Sequence, residues 1–232
     1  KLSYWIEDTY HSEIEGPDIF QPAGTNIEED KNFVINASGF FGYFENMRET
    51  EFNVQVIKPE NFYGGTGMIP VSTNNALSSK FSLEGRTYGD DIRSDQFRTN
   101  TYDQLVDSPI LYCEPDTAII KVAGAEVLIS VYSPNKMVTA TQIAESLDEV
   151  LIAQRDYLGG TLPVDKYAFL FYFTDQAITS YGALEHSYSS FYYMPEMEIG
   201  DMKQQLRDFA AHEFFHIVTP LNIHSEEIGK FD

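Results

Sequence analysis

The chain is poor in cysteine and in positive charge. Its 232 residues include one Cys, so it can form no internal disulfide and cannot build a thiolate metal site from cysteines. Lys and Arg total 15 against 36 Asp and Glu, which gives a formal net charge of −21. Binding to phosphate backbones or anionic lipid surfaces needs a basic face. We therefore expect no nucleic-acid partner and no docking on an anionic membrane.

The sequence also lacks segments that direct a chain to a membrane. No stretch approaches 18 consecutive apolar residues, so we predict no transmembrane segment. The first residues, KLSYWIEDTYH, resemble neither a signal peptide nor a transit peptide. The cellular location is therefore unknown from the sequence, and the bacterial cell envelope and the cytoplasm both stay open.

What the chain does contain indicates a packed core and a β-rich first part. Hydrophobic residues make up 43% and charged residues 22%, which excludes an intrinsically disordered acidic chain. Up to about residue 135, short apolar stretches alternate with Gly, Pro, Asn, Ser and Thr. The patterns predict strands there. They are Asn32–Asn36, Glu51–Val56, Lys80–Thr87 and a hairpin of Ala118–Val122 with Glu126–Tyr132.

After Ser133-Pro134-Asn135 the pattern becomes mixed α and β. Thr139 and Gln142 form a predicted capping box for a helix that Gly159-Gly160 ends. Buried strands are predicted at Tyr167–Phe173 and Gly182–Tyr193. A last helix is predicted to begin at the N-cap Asp201 and to end before Pro220. The fold class is thus α+β, with domains predicted at residues 1–135 and 136–232.

The segment AHEFFHI, residues 211–217, carries the motif His-Glu-x-x-His. On a helix, residues four apart lie on one face, so His212 and His216 can reach one cation. Neutral imidazole nitrogens suit Zn²⁺. Glu213 projects beside the metal, where it can act as general base and then general acid. The motif therefore predicts a zinc hydrolase site.

A zinc site of this kind needs a third protein ligand. The metzincin pattern would place Gly at position 219 and His at 222, and the chain has Thr219 and Asn222 instead. That class is excluded. The ligand could lie beyond Asp232, and three nearby downstream residues remain as candidates: His224, Glu226 and Glu227.

Four segments together carry a resemblance to one known family. They are YDQLVDSPI at 102–110, LPVDKY at 162–167, GALEH at 182–186 and HEFFHIVTPLNI at 212–223. They are similar, in this order, to a domain junction, the entry to a catalytic sheet, a Gly-Gly-Leu-Glu-His strand and a zinc helix with its exit loop. Ala183 replaces the second Gly of that strand. The chain thus resembles the glycyl-aminopeptidase-like gluzincins, zinc metallopeptidases related to thermolysin.

The resemblance implies how a peptide substrate would bind. The Glu of the comparable strand binds the free α-amino group of the substrate, which assigns that role to Glu185. The backbone of Gly182 and Ala183 would pair with the peptide by strand addition. A carboxylate at this place makes physical sense, because it fixes an ammonium group one residue away from the metal.

The resemblance also implies a missing part. The family's third zinc ligand is a Glu on the helix after the zinc helix, which we expect beyond Asp232, together with the oxyanion donor. We therefore expect a truncated chain: an incomplete β domain, then the N-terminal part of a thermolysin-like catalytic domain. Zinc occupancy in this form should be weak or absent, and the chain alone should be inactive.

Three functions follow as hypotheses. The first is a zinc-dependent aminopeptidase that removes small N-terminal residues from peptides. The second is a non-catalytic binding or scaffold protein that retains the metallopeptidase fold. The third is an endopeptidase, which would also cleave N-acetylated peptides. A Glu in a helical, Trp-containing segment after residue 232 would favour the enzyme over the scaffold.

Overall fold

Strands fill the first part of the chain and two long helices lie in the second. The structure, a computed structural model, describes residues 2–10, 19–76, 81–83, 86–88, 92–178 and 181–225. The helices are α1 (Ala37–Phe40), α2 (Tyr102–Val106), α3 (Ala140–Tyr157) and α4 (Ile199–Phe215). The strands are β1 (Asn26–Glu28), β2 (Asn32–Ile35), β3 (Phe52–Pro59), β4 (Tyr63–Thr66), β5 (Ser72–Ala76), β6 (Phe81–Leu83), β7 (Arg86–Tyr88), β8 (Ile92–Thr99), β9 (Ile110–Cys113), β10 (Thr117–Val122), β11 (Ala125–Tyr132), β12 (Lys166–Thr174), β13 (Gly182–His186) and β14 (Ser189–Pro195). The α+β fold class and the β-rich N-terminal part are confirmed.

The first 113 residues build antiparallel sheets. Among the described residues, one sheet has the order β1-β2-β9-β4, another has the order β3-β8-β5, and β6 pairs with β7. The strands predicted at Asn32–Asn36 and Glu51–Val56 are confirmed as β2 and β3. The single strand predicted at Lys80–Thr87 is wrong, because two short strands, β6 and β7, occupy this stretch. Lys80, Glu84 and Gly85 lie outside the described residues.

A five-stranded sheet forms the second layer, in the order β10-β11-β12-β14-β13. The three central strands are parallel, and both edge strands run antiparallel to their neighbours. The predicted hairpin at 118–132 is confirmed as β10 and β11. Because β11 also pairs with β12, residues 117–132 share a sheet with residues 166–195. The sheet therefore contains strands from both sides of the domain boundary predicted near residue 135, and the division into two domains stays a prediction.

Helix α3 connects β11 to β12 as sequence chemistry predicts. Thr139 accepts from the Gln142 backbone N–H, and the Gln142 side chain accepts from the Thr139 backbone, so the predicted capping box is confirmed. Gly159 and Gly160 follow the helix with φ of +84° and +95°, a conformation that costs glycine little. The chain is thereby turned back into β12.

Strand β12 is apolar throughout because both faces of its sheet are covered. On one side, Phe169, Phe171 and Phe173 pack with side chains of α3 and α4. On the other side, Leu170 and Tyr172 pack with residues of the N-terminal sheet. The N-terminal sheet and the two helices thus enclose the five-stranded sheet between them.

Two boundary predictions in the second part are wrong. The single strand predicted at Gly182–Tyr193 is a hairpin, β13 and β14, that turns at residues 187–188. Helix α4 begins at Ile199 after the N-cap Glu198, so Asp201 lies in its first turn and is not the N-cap. The helix ends at Phe215, five residues before Pro220, and turns follow. No helix in the described part of the chain is both long and apolar enough to cross a membrane.

Candidate active site

The last turns of α4 carry the His-Glu-x-x-His motif beside the start of β12. The Phe214 ring packs edge-on against Tyr167, with the ring centroids 4.8 Å apart, and also contacts Phe169 at 5.9 Å. The Tyr167 hydroxyl also donates to the Glu213 backbone carbonyl at 3.4 Å. These contacts fix the end of the helix on the sheet. They leave His212 exposed, His216 half-buried and Glu213 buried.

The two histidines of the motif face each other. Their ring centroids lie 5.1 Å apart and the ring planes are nearly perpendicular. His216 Nδ1 lies 2.7 Å from the Thr219 carbonyl oxygen. Because a carbonyl oxygen only accepts, Nδ1 carries the proton in this contact and Nε2 keeps its lone pair. The turn after α4 therefore sets the tautomer in which His216 Nε2 can bind a metal.

Glu213 lies beside His216 in a position of low solvation. Its Oε2 atom is 3.8 Å from His216 Nε2, and the residue is 8% exposed. This oxygen has no hydrogen-bond partner among the described residues. Burial raises the pKa of the Glu213 carboxyl above its ordinary value, and the nearby His212 and His216 partly oppose that rise. The carboxylate is thus the buried, unpaired member of the site.

Glu185 approaches the helix from the sheet. A carboxylate oxygen of Glu185, one of Glu213 and a ring nitrogen of His216 all lie within 4.8 Å of one another, close enough to hold a metal ion. His212 is not a member of that group, although its ring lies against His216. The structure therefore brings Glu185, Glu213 and His216 together, with His212 next to them on the exposed side.

The two faces of β13 have different surroundings. Ala183 packs with the core under α4, and Glu185 points to the same side. Gly182 and His186 point to the opposite side, towards the N-terminal part of the chain, where they lie next to Phe20 and Asp107. Strand β13 is also an edge of its sheet as described. Of the three residues assigned to substrate binding, Ala183 and Glu185 therefore share the face of the motif, and Gly182 is buried.

The donor set fits a zinc ion. Imidazole nitrogen and carboxylate oxygen are both zinc ligands, and zinc favours four such positions. The fixed lone pair of His216 Nε2 fits a zinc ligand, and the unpaired buried oxygen of Glu213 fits a proton-transferring group beside the ion. The candidate ligand His224 is exposed, contacts the Ser225 carbonyl oxygen through Nδ1 at 2.9 Å and does not join the group. Glu226 and Glu227 lie outside the described residues.

Sequence reasoning missed several residues that shape this site. The Thr219 carbonyl and the Tyr167 hydroxyl act through the backbone or over long sequence distances, and no motif indicates them. Asp107 lies in a segment that was recognised only as a domain junction. Its side chain lies 3.3 Å from His186 Nδ1. Each of these contacts depends on the tertiary packing of distant segments.

Comparisons with known proteins bear on the fold and on the N-terminal part of the chain. Residues 1–114 match the family profile of the Peptidase M61 N-terminal domain, and this range ends just after β9. The crystal structure of an aminopeptidase N family protein from Idiomarina loihiensis matches 84% of the chain with a TM-score of 0.63 and 18% identity. The match covers 31% of that protein, so the chain spans about a third of its length. No curated protein matches the chain.

The two matches support different conclusions, one about the fold and one about the family relationship. At 18% identity the likeness to the aminopeptidase N family protein establishes the fold alone. The profile match supports a relationship with a peptidase family. The profile match thus indicates a peptidase-related function.

Proposed function

We propose that this chain carries part of the active site of a zinc-dependent aminopeptidase that removes small N-terminal residues from peptides. The observation that carries the proposal is the meeting of Glu185, Glu213 and His216, with ligand atoms within 4.8 Å of one another. A peptidase-family profile over residues 1–114 and the aminopeptidase N family protein among similar structures support the same activity.

His212 and His216 would hold the zinc ion, with a further ligand expected from outside the described residues. A zinc ion supplies Lewis-acid polarisation of the scissile carbonyl and activation of the attacking water. The Thr219 carbonyl keeps the His216 proton on Nδ1, so the chain itself prepares Nε2 for coordination. Exposed His212, whose ring centroid lies 5.1 Å from that of His216, would complete the pair.

Glu213 would move the protons of the reaction. Its Oε2 atom makes no hydrogen bond within the described residues, so it is free to accept a proton from the attacking water. Its raised pKa makes the carboxylate a stronger base for taking up that proton, which it would then pass to the leaving amine. One residue thus acts as base and then as acid.

Glu185 would select for substrates with a free amino terminus. Its carboxylate lies on the face of β13 that contacts α4, with an oxygen within 4.8 Å of a Glu213 carboxylate oxygen. An ammonium group bound there places the first peptide bond of the substrate next to the metal-binding residues. Backbone pairing along the edge strand at Gly182 and Ala183 would align the peptide.

Glu213→Gln in the complete gene product tests the proposal. The expected result is unchanged zinc content with a loss of kcat of about 10²- to 10⁴-fold, because the proton-transfer group is removed. Asp208→Asn is the matched control, since Asp208 lies on the exposed face of the same helix and, among the described residues, accepts only from Gln204. It should leave kcat unchanged.

Two results would contradict the proposal. Full peptidase activity in Glu213→Gln would show that Glu213 does not transfer protons in the reaction. A complete gene product that binds zinc and peptide but cleaves none of a panel of peptides would favour the scaffold protein.

A further inference from the structure

The N-terminal part of the chain supports the face of β13 that points away from the zinc helix. At one end of the strand, a Cβ on Gly182 would lie 3.0 Å from the Phe20 ring. At the other end, Asp107 contacts His186 and Ser187. Just beyond, a Cβ on Gly67 would lie 2.5 Å from the Tyr188 carbonyl oxygen. Residues of the N-terminal part therefore contact both ends of β13 on the face that points away from α4.

Asp107 makes the most directional of these contacts. Both of its carboxylate oxygens accept from the Ser187 backbone N–H, each at 3.1 Å. Its Oδ1 atom also lies 3.3 Å from Nδ1 of buried His186. That second contact is a close approach and not a directional hydrogen bond, because the His186 ring makes none within the described residues. The Asp107 side chain is 10% exposed, so little water competes for it.

Helix α2, which carries Asp107 at its C-terminal end, is itself anchored by other contacts. Asp107 is the C-cap of α2, and the same helix is tied to the N-terminal part by an ion pair between Arg48 and Asp103 at 2.6 Å. The Tyr102 hydroxyl donates to the Phe41 carbonyl at 2.6 Å. Asp107 therefore transmits the position of the N-terminal part to the turn between β13 and β14.

Glu185 is the residue that this support controls. His186 and Ser187 follow it directly in the chain. Because Asp107 holds the His186 ring and the Ser187 backbone N–H, it also fixes the position of the Glu185 carboxylate on the opposite face of the strand. A functional side chain must be held within about 0.5 Å of its productive position to be effective. We propose that Asp107 is a positioning residue for Glu185 that sets the preference for a free amino terminus; this inference rests on the function proposed above.

Peptide binding in the Glu213→Gln background tests this without turnover. Calorimetry would compare the tripeptide Gly-Ala-Ala with its N-acetylated form, using the complete gene product. The parent should prefer the free peptide by about tenfold or more, as expected for a charged hydrogen bond. Asp107→Asn should lose most of that preference with zinc content unchanged. Asp208→Asn, at the exposed carboxylate of α4 already used as a control, should keep it.

Combining substitutions separates positioning from a general structural effect. Once Glu185→Gln has removed the carboxylate, Asp107→Asn should change the ratio of the two peptide affinities no further.

Gly67→Ala presses on the same turn through Tyr188 and should also reduce the preference for the free peptide. Gly42→Ala, with open space around it, should not. This second pair keeps the test valid if Asp107→Asn does not fold.

The outcomes are distinct. A parent with no preference for the free peptide contradicts the proposed function and this inference with it. A parent with the preference and a folded Asp107→Asn or Gly67→Ala that keeps it in full overturns the inference alone. An equal loss with and without the Glu185 carboxylate also overturns it, because Asp107 would then act elsewhere.

Discussion

Oε2 of Glu213 lies 3.8 Å from Nε2 of His216, and both atoms point to the space that Glu185 reaches from the neighbouring sheet. The helix supplies this pair because residues three apart lie on one face. The sheet supplies Glu185 because alternation along β13 turns it towards the helix. A local motif and a long-range packing arrangement thus meet at one site.

Replacing Glu185 with Gln should remove the selectivity for free amino termini. The variant loses the charge that binds an ammonium group, so kcat/KM for free peptides should fall about 10- to 100-fold. Cleavage of N-acetylated peptides should change little. The measurement is steady-state kinetics on matched free and acetylated peptides with the complete gene product.

Glu198→Gln provides the control for that prediction. Glu198 is exposed, lies at the opposite end of α4 and makes no side-chain capping hydrogen bond. It should leave both substrates unaffected. If Glu185→Gln retained full selectivity, another residue would bind the amino terminus; if the unsubstituted enzyme cleaved both peptides equally well, it would be an endopeptidase.

Zinc affinity should depend on His216 and not on His224. His216→Ala removes a proposed direct ligand, so zinc should bind at least about 100-fold more weakly, beyond the loss expected for removing an outer partner. His224→Ala is the comparison, because His224 is exposed and outside the group at the site. Competition with a chelator measures both. Equal affinity in the two variants would contradict the assignment of His216.

The buried thiol Cys113 should make stability fall above pH 9. Burial and the nearby carboxylates of Asp116 and Glu114 raise the pKa of this thiol to about 12. The unfolded chain ionises near pH 9 while the folded chain keeps its proton, so stability falls with rising pH between about pH 9 and pH 12. The free energy of unfolding should lose about 1.4 kcal/mol to this group between pH 8 and pH 10.

Urea unfolding of Cys113→Ala at both pH values measures that loss. The stability difference between the unsubstituted chain and the variant should shift by about 1.4 kcal/mol in favour of the variant on going to pH 10. Val131→Ala is the control, because Val131 lies next to Cys113 and carries no titratable group. A difference for Cys113→Ala that stays constant over this range would contradict the expected thiol pKa.

Local signals in the sequence predicted what local interactions determine. The Thr139 capping box, the stop at Gly159-Gly160 and the buried strand β12 all depend on residues within one segment, and the structure contains each of them. The helical spacing of His212 and His216 is of the same kind. These elements can be derived without knowing the rest of the fold.

Other features could not be derived because their signals are weak or distant. The turn between β13 and β14 is formed by Ser187 and Tyr188, which carry no Gly, Pro or Asn signal, so two strands looked like one. The start of α4 was misplaced because Glu198 makes no side-chain cap. The contact of Asp107 with His186 joins distant segments, and only tertiary packing brings them together.

The central claim is a zinc ion held by the two histidines of α4 in a peptidase site. Anomalous diffraction from crystals of the complete gene product, recorded on both sides of the zinc absorption edge, tests it directly. We expect a peak about 2.0–2.1 Å from Nε2 of His216 and at bonding distance from His212, with Glu213 next to it. An active enzyme with no peak at these histidines, or with its metal bound elsewhere, would contradict it.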